Sequence, residues 1–300
     1  LTSPLKDEQQ RSNWLLRYLG VQRVYDKVVI DALEMAAIDA DHAFDNLGTV
    51  KIGERTRRYQ INLARKELRK IINDLFRGFV PVIGKGQQDA AQAAEEAAIK
   101  EDAKVLAALF PDANLRKANE AAFKESARQG IQAMVNRVIG VSPTYPLSRR
   151  VYRAGSLASG KLDRDINSSL ARGASARELA DIARKSVSPK VAGGVSYAAL
   201  RLARTEINNA FHAQSIGSME DKPWVESVRW NLSKVHKEDP GDLCEEYSDI
   251  GTFDKTNVPV KPHPQCMCYV TPEMTDFANF AASLQSGAYD EFYHSKYRSA

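Results

Sequence analysis

The feature that most constrains this chain is a change of hydrophobic period at one proline. Up to Met219 the apolar residues recur at steps of three and four, the spacing of a helix with one buried face. After Pro223 the period becomes two: in "WVESVRWNLS", Trp224, Val228, Trp230 and Leu232 fall on one side of an extended chain and Val225, Ser227, Arg229 and Asn231 on the other. "CMCYVT" alternates likewise. A mainly α chain with a small C-terminal β-sheet, α+β in class, is therefore expected.

The helical part is long. From Glu8 to Phe44 the pattern through Leu15, Leu19, Val24, Val28 and Leu33 reads as two helices parted near Gly20. A third begins after Gly53, where Ile61, Leu68, Ile72 and Phe76 form a stripe among seven Arg or Lys residues. Six of its cations, Arg55, Arg57, Arg58, Arg65, Lys66 and Arg69, make a solvated basic face or a surface for phosphates. "FVPVIGKG" then reads as a turn ahead of an alanine-rich helix. Gly84 and Gly86 begin a dinucleotide fingerprint, but Asp89 stands where its third glycine belongs and repels phosphate.

The prolines and glycine of "GVSPTYP" end a further helical stretch and suggest the main boundary. This divides the chain into a helical N-terminal region (1–140), a compact domain (141–275) and a tail (276–300). Two or three short helices follow, one opened by Ser175 and Glu178 at capping-box spacing. In the next long helix Leu200, Ala203, Ile207 and Phe211 share a face. Arg204 sits at its edge, where it needs a carboxylate or carbonyl from another element; Glu206 and Asn208 are expected to point elsewhere.

All three cysteines of the 300 residues, Cys244, Cys266 and Cys268, lie in one window with His263, and His236, Asp239 and Asp242 precede them in the same loop. An odd, small cysteine count fits a reducing compartment better than a disulfide framework. Cys244, His263, Cys266 and Cys268 have the inventory of a tetrahedral zinc site. Cys266 and Cys268, placed on a strand, would have Cα atoms roughly 6.7 Å apart, which suits zinc less well than a tight turn. A disulfide from Cys244 to Cys266 or Cys268, and plain packing of small apolar thiols, are the alternatives. Cys244, His236 or His263, and Asp242 could also assemble a cysteine-dependent enzyme, although no nucleophile elbow or His-Glu-x-x-His accompanies them and "HPQC" lacks the His-x-Glu of the zinc deaminases. A net charge of +4 leaves nucleic acid open as a partner without identifying one. The opening residues do not read as a signal peptide, and no apolar run approaches the about 18 residues of a membrane span, so no membrane partner is expected.

Taken in order, "RLARTEINNAFHA", "WNLSKVH", "DLC" and "KPHPQCMCYVTP" resemble the Mu F-like phage head morphogenesis, or minor head protein, family, in a version closest to that of actinobacteriophages. The likeness covers about Leu147 to Thr271. It carries over to Arg204, Thr205 and Glu206, to Trp230, to His236, Asp242 and Cys244, and to His263, Pro264, Cys266 and Cys268; Met267 stands where the family most often has arginine. The resemblance implies a structural, non-enzymatic virion protein in few copies, in the head interior or at the portal vertex. Before that it would be in the host cytoplasm, contacting the portal protein, the major capsid protein and in some relatives the genomic double-stranded DNA. The reading from another class is a zinc-stabilised nucleic-acid-binding protein using the basic helix and the stretch around Arg149 and Arg150.

Overall fold

A computed structural model describes residues 8–44, 54–109 and 147–288, except 221, 223, 235, 237–240, 277, 278, 281, 284 and 285; of 8–14, 54–58 and 101–109 it describes the backbone alone. Among the described residues, five long or medium helices precede the sheet: α1 (Glu8–His42), α2 (Glu54–Leu109), α3 (Leu147–Ala171), α4 (Ala176–Val187) and α5 (Gly194–Glu220). Then come β1 (Val225–Asn231), the short helix α6 (Leu243–Ile250), β2 (Thr252–Asp254) and β3 (Tyr269–Met274). The protein is mainly helical with one small three-stranded antiparallel sheet of order β2-β1-β3. The boundary expected at 140/141 lies outside the described residues.

The chain forms two compact units, each made of separated segments: Arg23–Lys85 with Ser142–Glu206, and Leu1–Gln22 with Gly86–Val141 and Ile207–Ala300. Among its described residues the first unit holds helices and no strand. Val29, Leu33, Leu68, Ile72, Phe76, Ile83, Val151, Leu162, Ile166, Leu179, Val187 and Ala203 form its continuous core. Gly155 on α3 lets the backbone approach Phe76 on α2 so closely that an added Cβ would stand 2.9 Å from the ring. The Ser175–Glu178 capping box starts α4 with both of its reciprocal bonds in place.

Two expectations about the helices are corrected. Residues 8–42 make one helix, not two, because Gly20 has nothing within 4 Å of its missing Cβ and is simply a helical residue on an open face. Likewise "FVPVIGKG" is no turn: α2 runs uninterrupted through Pro81, Gly84 and Gly86. Pro81 forfeits one helical hydrogen bond and costs roughly 3 kcal/mol. Phe76, Phe79 and Ile83 are fully buried around it, and each contributes about 1.5–3 kcal/mol, so burial outweighs the break. The stretch expected to hold two or three short helices holds two, α3 of 25 residues and α4 of 12.

In the second unit, Ala90, Ala91, Ala94, Ala97 and Ala98 present a buried small-residue face of α2, where Gln214 of α5 donates to Glu95. Tyr18 packs on Phe211 with ring centroids 5.3 Å apart. In β1, Val228 and Trp230 face inward, but an irregularity between Val225 and Ser227 shifts the phase, so Val225 is buried too. Leu232 lies past the end of the strand and is exposed, contrary to the alternation read from sequence. Asn231 is buried instead, donating to Thr271 Oγ1 across the β1–β3 pair.

Candidate metal centre

The second unit's sheet gathers the cysteine window. After β1 the chain passes Ser233, whose carbonyl accepts from the backbone amide of His236 at 3.0 Å. Gly241, at φ +94°, turns it into α6. Asp242 is the N-cap of α6, its carboxylate accepting from the amide of Cys244 at 2.9 Å, which fixes the Cys244 side chain on the first turn. Following β2 the chain returns through Lys261 and His263 to Gln265, the one non-glycine with positive φ among the described residues, at 60°. That left-handed residue makes a sharp turn immediately before Cys266. β3 begins only at Tyr269, so Cys266 and Cys268 precede the strand. The placement of the two cysteines on a strand is thereby corrected: they lie between the turn at Pro264–Gln265 and the start of β3.

Five donor side chains gather in two overlapping groups. Cys244, Cys266 and Cys268 are free thiols and fully buried. The Cys244 sulfur lies 3.4 Å from that of Cys266 and 3.3 Å from His263 Nε2, and the Cys268 sulfur lies 3.8 Å from His236 Nδ1. The donors form two triads that share Cys244: with His236 and Cys268, and with His263 and Cys266. With metal–sulfur distances of about 2.3 Å and metal–nitrogen of about 2.05 Å, the edges of a tetrahedron are about 3.8 Å between sulfurs and about 3.5 Å from sulfur to nitrogen. All three separations fall close to those edges.

The surroundings suit anionic sulfur. Amides of Cys268 and Ser233 donate to the sulfurs of Cys266 and Cys268 respectively. Lys261 donates from Nζ to the carbonyls of Cys266 and Cys268 and lies 6.0 Å from the Trp230 ring centroid. Asn208 of α5 also donates to the Cys266 carbonyl. Trp230 is buried against the edges of His212 and Tyr247, whose ring centroids are 5.5 and 5.1 Å away. The thiols share one favourable ionisation. The hydrogen bond from Cys268, with help from Lys261, brings Cys266 down to about 5, against the opposing effect of burial. Burial and the hydrogen bond with Cys266 push Cys244 up to about 12; Cys268 is raised first by its bond with Cys266 and then by burial.

These facts bear on nucleophilic chemistry. A reactive cysteine is exposed and has a depressed pKa; Cys244 is buried and shifted the opposite way. Asp242 and Cys244 also meet the same nitrogen of His263, Nε2, with Asp242 Oδ2 at 3.5 Å, whereas an orienting acid belongs on the other nitrogen.

Cys244, His263, Cys266, Cys268, His236 and Asp242 thus come together, with Trp230 beneath Lys261. Arg204 and Glu206 belong to the other unit. Arg204 donates through Nε and Nη2 to both oxygens of Asp26 on α1, each at 2.9 Å. Glu206 is not directed outward, as its helical position suggested, but is buried and held by Arg150 through two bonds of 2.6 Å. Asn208, expected to point away, is buried as well. Of the six basic-face residues, Arg65 and Arg69 both bind Asp163 of α3, at 3.4 and 2.5 Å. Lys66 is exposed, and the side chains of Arg55, Arg57 and Arg58 lie outside the described residues. Lys261, Glu245 and Asp26 escaped sequence reasoning; the one available signal was a lysine standing next to the Pro-His-Pro run.

No family model matches this chain, and neither a curated protein nor a solved structure matches it.

Proposed function

We propose that the chain is a minor structural protein of a phage head, associated with the portal vertex, whose sulfur and imidazole cluster pins a long loop to a small sheet. The role is assembly, with a metal ion of the zinc class as the only cofactor. One observation carries the structural part: the cluster is closed, its three sulfurs fully buried and its loop carbonyls held by Lys261 and Asn208. Such a site holds elements together and offers no reacting atom to a substrate. The phage-head part is supported by the sequence-ordered likeness from Leu147 to Thr271, and the portal and the major capsid protein are partners on that ground alone.

Purified heads provide the test. Peptide mass spectrometry of particles made with the chain is expected to find it in few copies and to recover it with the portal after the shell is disrupted; its absence from purified particles would overturn the reading. Nucleic-acid binding through α2 is the weaker alternative, because Asp163 already occupies Arg65 and Arg69, and Glu206 occupies Arg150.

A further inference from the structure

The five donors around Cys244 exceed the four that a tetrahedral ion takes, and their surroundings distinguish them. His236 and His263 compete for one position. Only 8% of the His236 side chain is exposed, against 39% for His263. His236 turns Nδ1 toward Cys268, while its Nε2 faces Glu245 Oε1 at 3.4 Å and Asp242 Oδ2 at 3.9 Å. With Glu245 in hydrogen-bonding reach and Asp242 farther off, Nε2 is the nitrogen suited to carry the proton, which would leave the Nδ1 lone pair for a metal in the carboxylate–histidine–metal arrangement. His263 is placed differently. Its Nδ1 faces the Pro264 carbonyl at 3.1 Å, and its Nε2, the nitrogen nearest the sulfurs, also faces Asp242 at 3.5 Å. A carbonyl on Nδ1 would itself leave Nε2 free, so what sets His236 apart is its deeper burial and the carboxylate side chain on its outer nitrogen.

We propose that the cluster binds one tetrahedral divalent ion of the zinc class through the thiolates of Cys244, Cys266 and Cys268 and through His236 Nδ1. His263 closes the site from outside by hydrogen bonding to Asp242 and the Cys244 sulfur. This deepens the structural reading above, from which it takes the closed character of the site. Charge supports it by a separate route. A divalent ion with three thiolates and a neutral imidazole carries one net negative charge, and Lys261 supplies one positive charge beside it, over the backbone of two of the ligands. Neutral thiols would leave that ammonium with carbonyls and an aromatic face alone at this site.

Cobalt(II) titration of the full chain, reduced and stripped of metal, tests the assignment. The expected result is saturation at one equivalent, with sulfur-to-cobalt charge transfer in the near ultraviolet and the intense visible bands of tetrahedral cobalt. His236→Ala should weaken cobalt binding by more than about 100-fold, since losing a ligand exceeds the about 10–100-fold seen for outer partners. His263→Ala should weaken it by less than about 10-fold with the visible spectrum unchanged. Glu245→Gln, which keeps shape and all ligands, should weaken binding about 10-fold and so remains informative if His236→Ala does not fold. No charge-transfer band, saturation at two equivalents, or loss of the tetrahedral spectrum in His263→Ala but not in His236→Ala would each overturn the proposal. A chain that fails to bind cobalt yet is recovered from purified heads would sink this coordination while leaving the phage-head reading intact.

Discussion

His212 shows how much a single buried side chain can make the second unit depend on pH. Its Nε2 donates to the Pro259 carbonyl at 3.0 Å, its ring packs edge-on to Trp230, and burial, aided by the charge of Lys261, lowers its pKa from 6.5 to about 3. The unfolded chain takes up a proton as pH falls below 6.5, whereas the folded chain resists until about 3. The unfolded state therefore binds more protons throughout that window. The contribution of His212 is complete above pH 6.5 and declines as pH falls, by up to about 1.4 kcal/mol per pH unit. Urea midpoints measured from pH 7 to pH 4 should fall more steeply for the native sequence than for His212→Phe. Parallel slopes for the two proteins would show that His212 is not the group responsible.

The elements differ in how openly the sequence announces them. The switch of period after Pro223 located β1, and the capping box located the start of α4, because both depend on residues close in sequence. By contrast, the continuity of α2 through Pro81, Gly84 and Gly86 depends on what Phe76, Phe79 and Ile83 bury, and those partners come from segments distant in sequence. β2, with three residues, is too short to carry a period at all. At the site, the cysteines and His263 were legible as an inventory. The choice between His236 and His263 was not, because it depends on where Glu245, Asp242 and the Pro264 carbonyl stand in space. Gly155 makes the same point about packing. Its neighbour is Phe76, on another helix, and a methyl group at that position would approach the ring to 2.9 Å. Gly155→Ala gains about 1 kcal/mol of helix propensity but should still lose about 1–3 kcal/mol net from overpacking. A denaturation midpoint at or above that of the native protein would mean that α2 and α3 can separate without penalty.

At the scale of the molecule, several cations that could meet a polyanion are paired within their own unit. The formal net charge is +4, yet Arg65, Arg69, Arg150 and Arg204 all hold carboxylates of neighbouring helices in their own unit. Among the described residues no helix is long and apolar enough to cross a membrane. Internal pairing of this kind predicts weak attraction to polyanions. In gel-shift titrations with double-stranded DNA we expect no complex at about 150 mM salt, and any seen at about 50 mM should vanish steeply as salt rises. A complex that persists at the higher concentration would make the genome a direct partner through surfaces other than these four arginines.

The short turn at Gln265 brings Cys266 within 3.4 Å of Cys244, and this has a practical consequence for anyone storing the protein. Two thiols held that close need little movement to reach the about 2.05 Å of a covalent sulfur bridge. With an ion in place the sulfurs are occupied; once a chelator removes it, air can oxidise the pair, taking one hydrogen from each sulfur. Chelator-treated samples left in air should lose two hydrogens in intact mass and one pair of alkylatable thiols, while untreated samples keep all three. Preparations that differ only in the chelator of their buffer would then behave as two chemically distinct proteins.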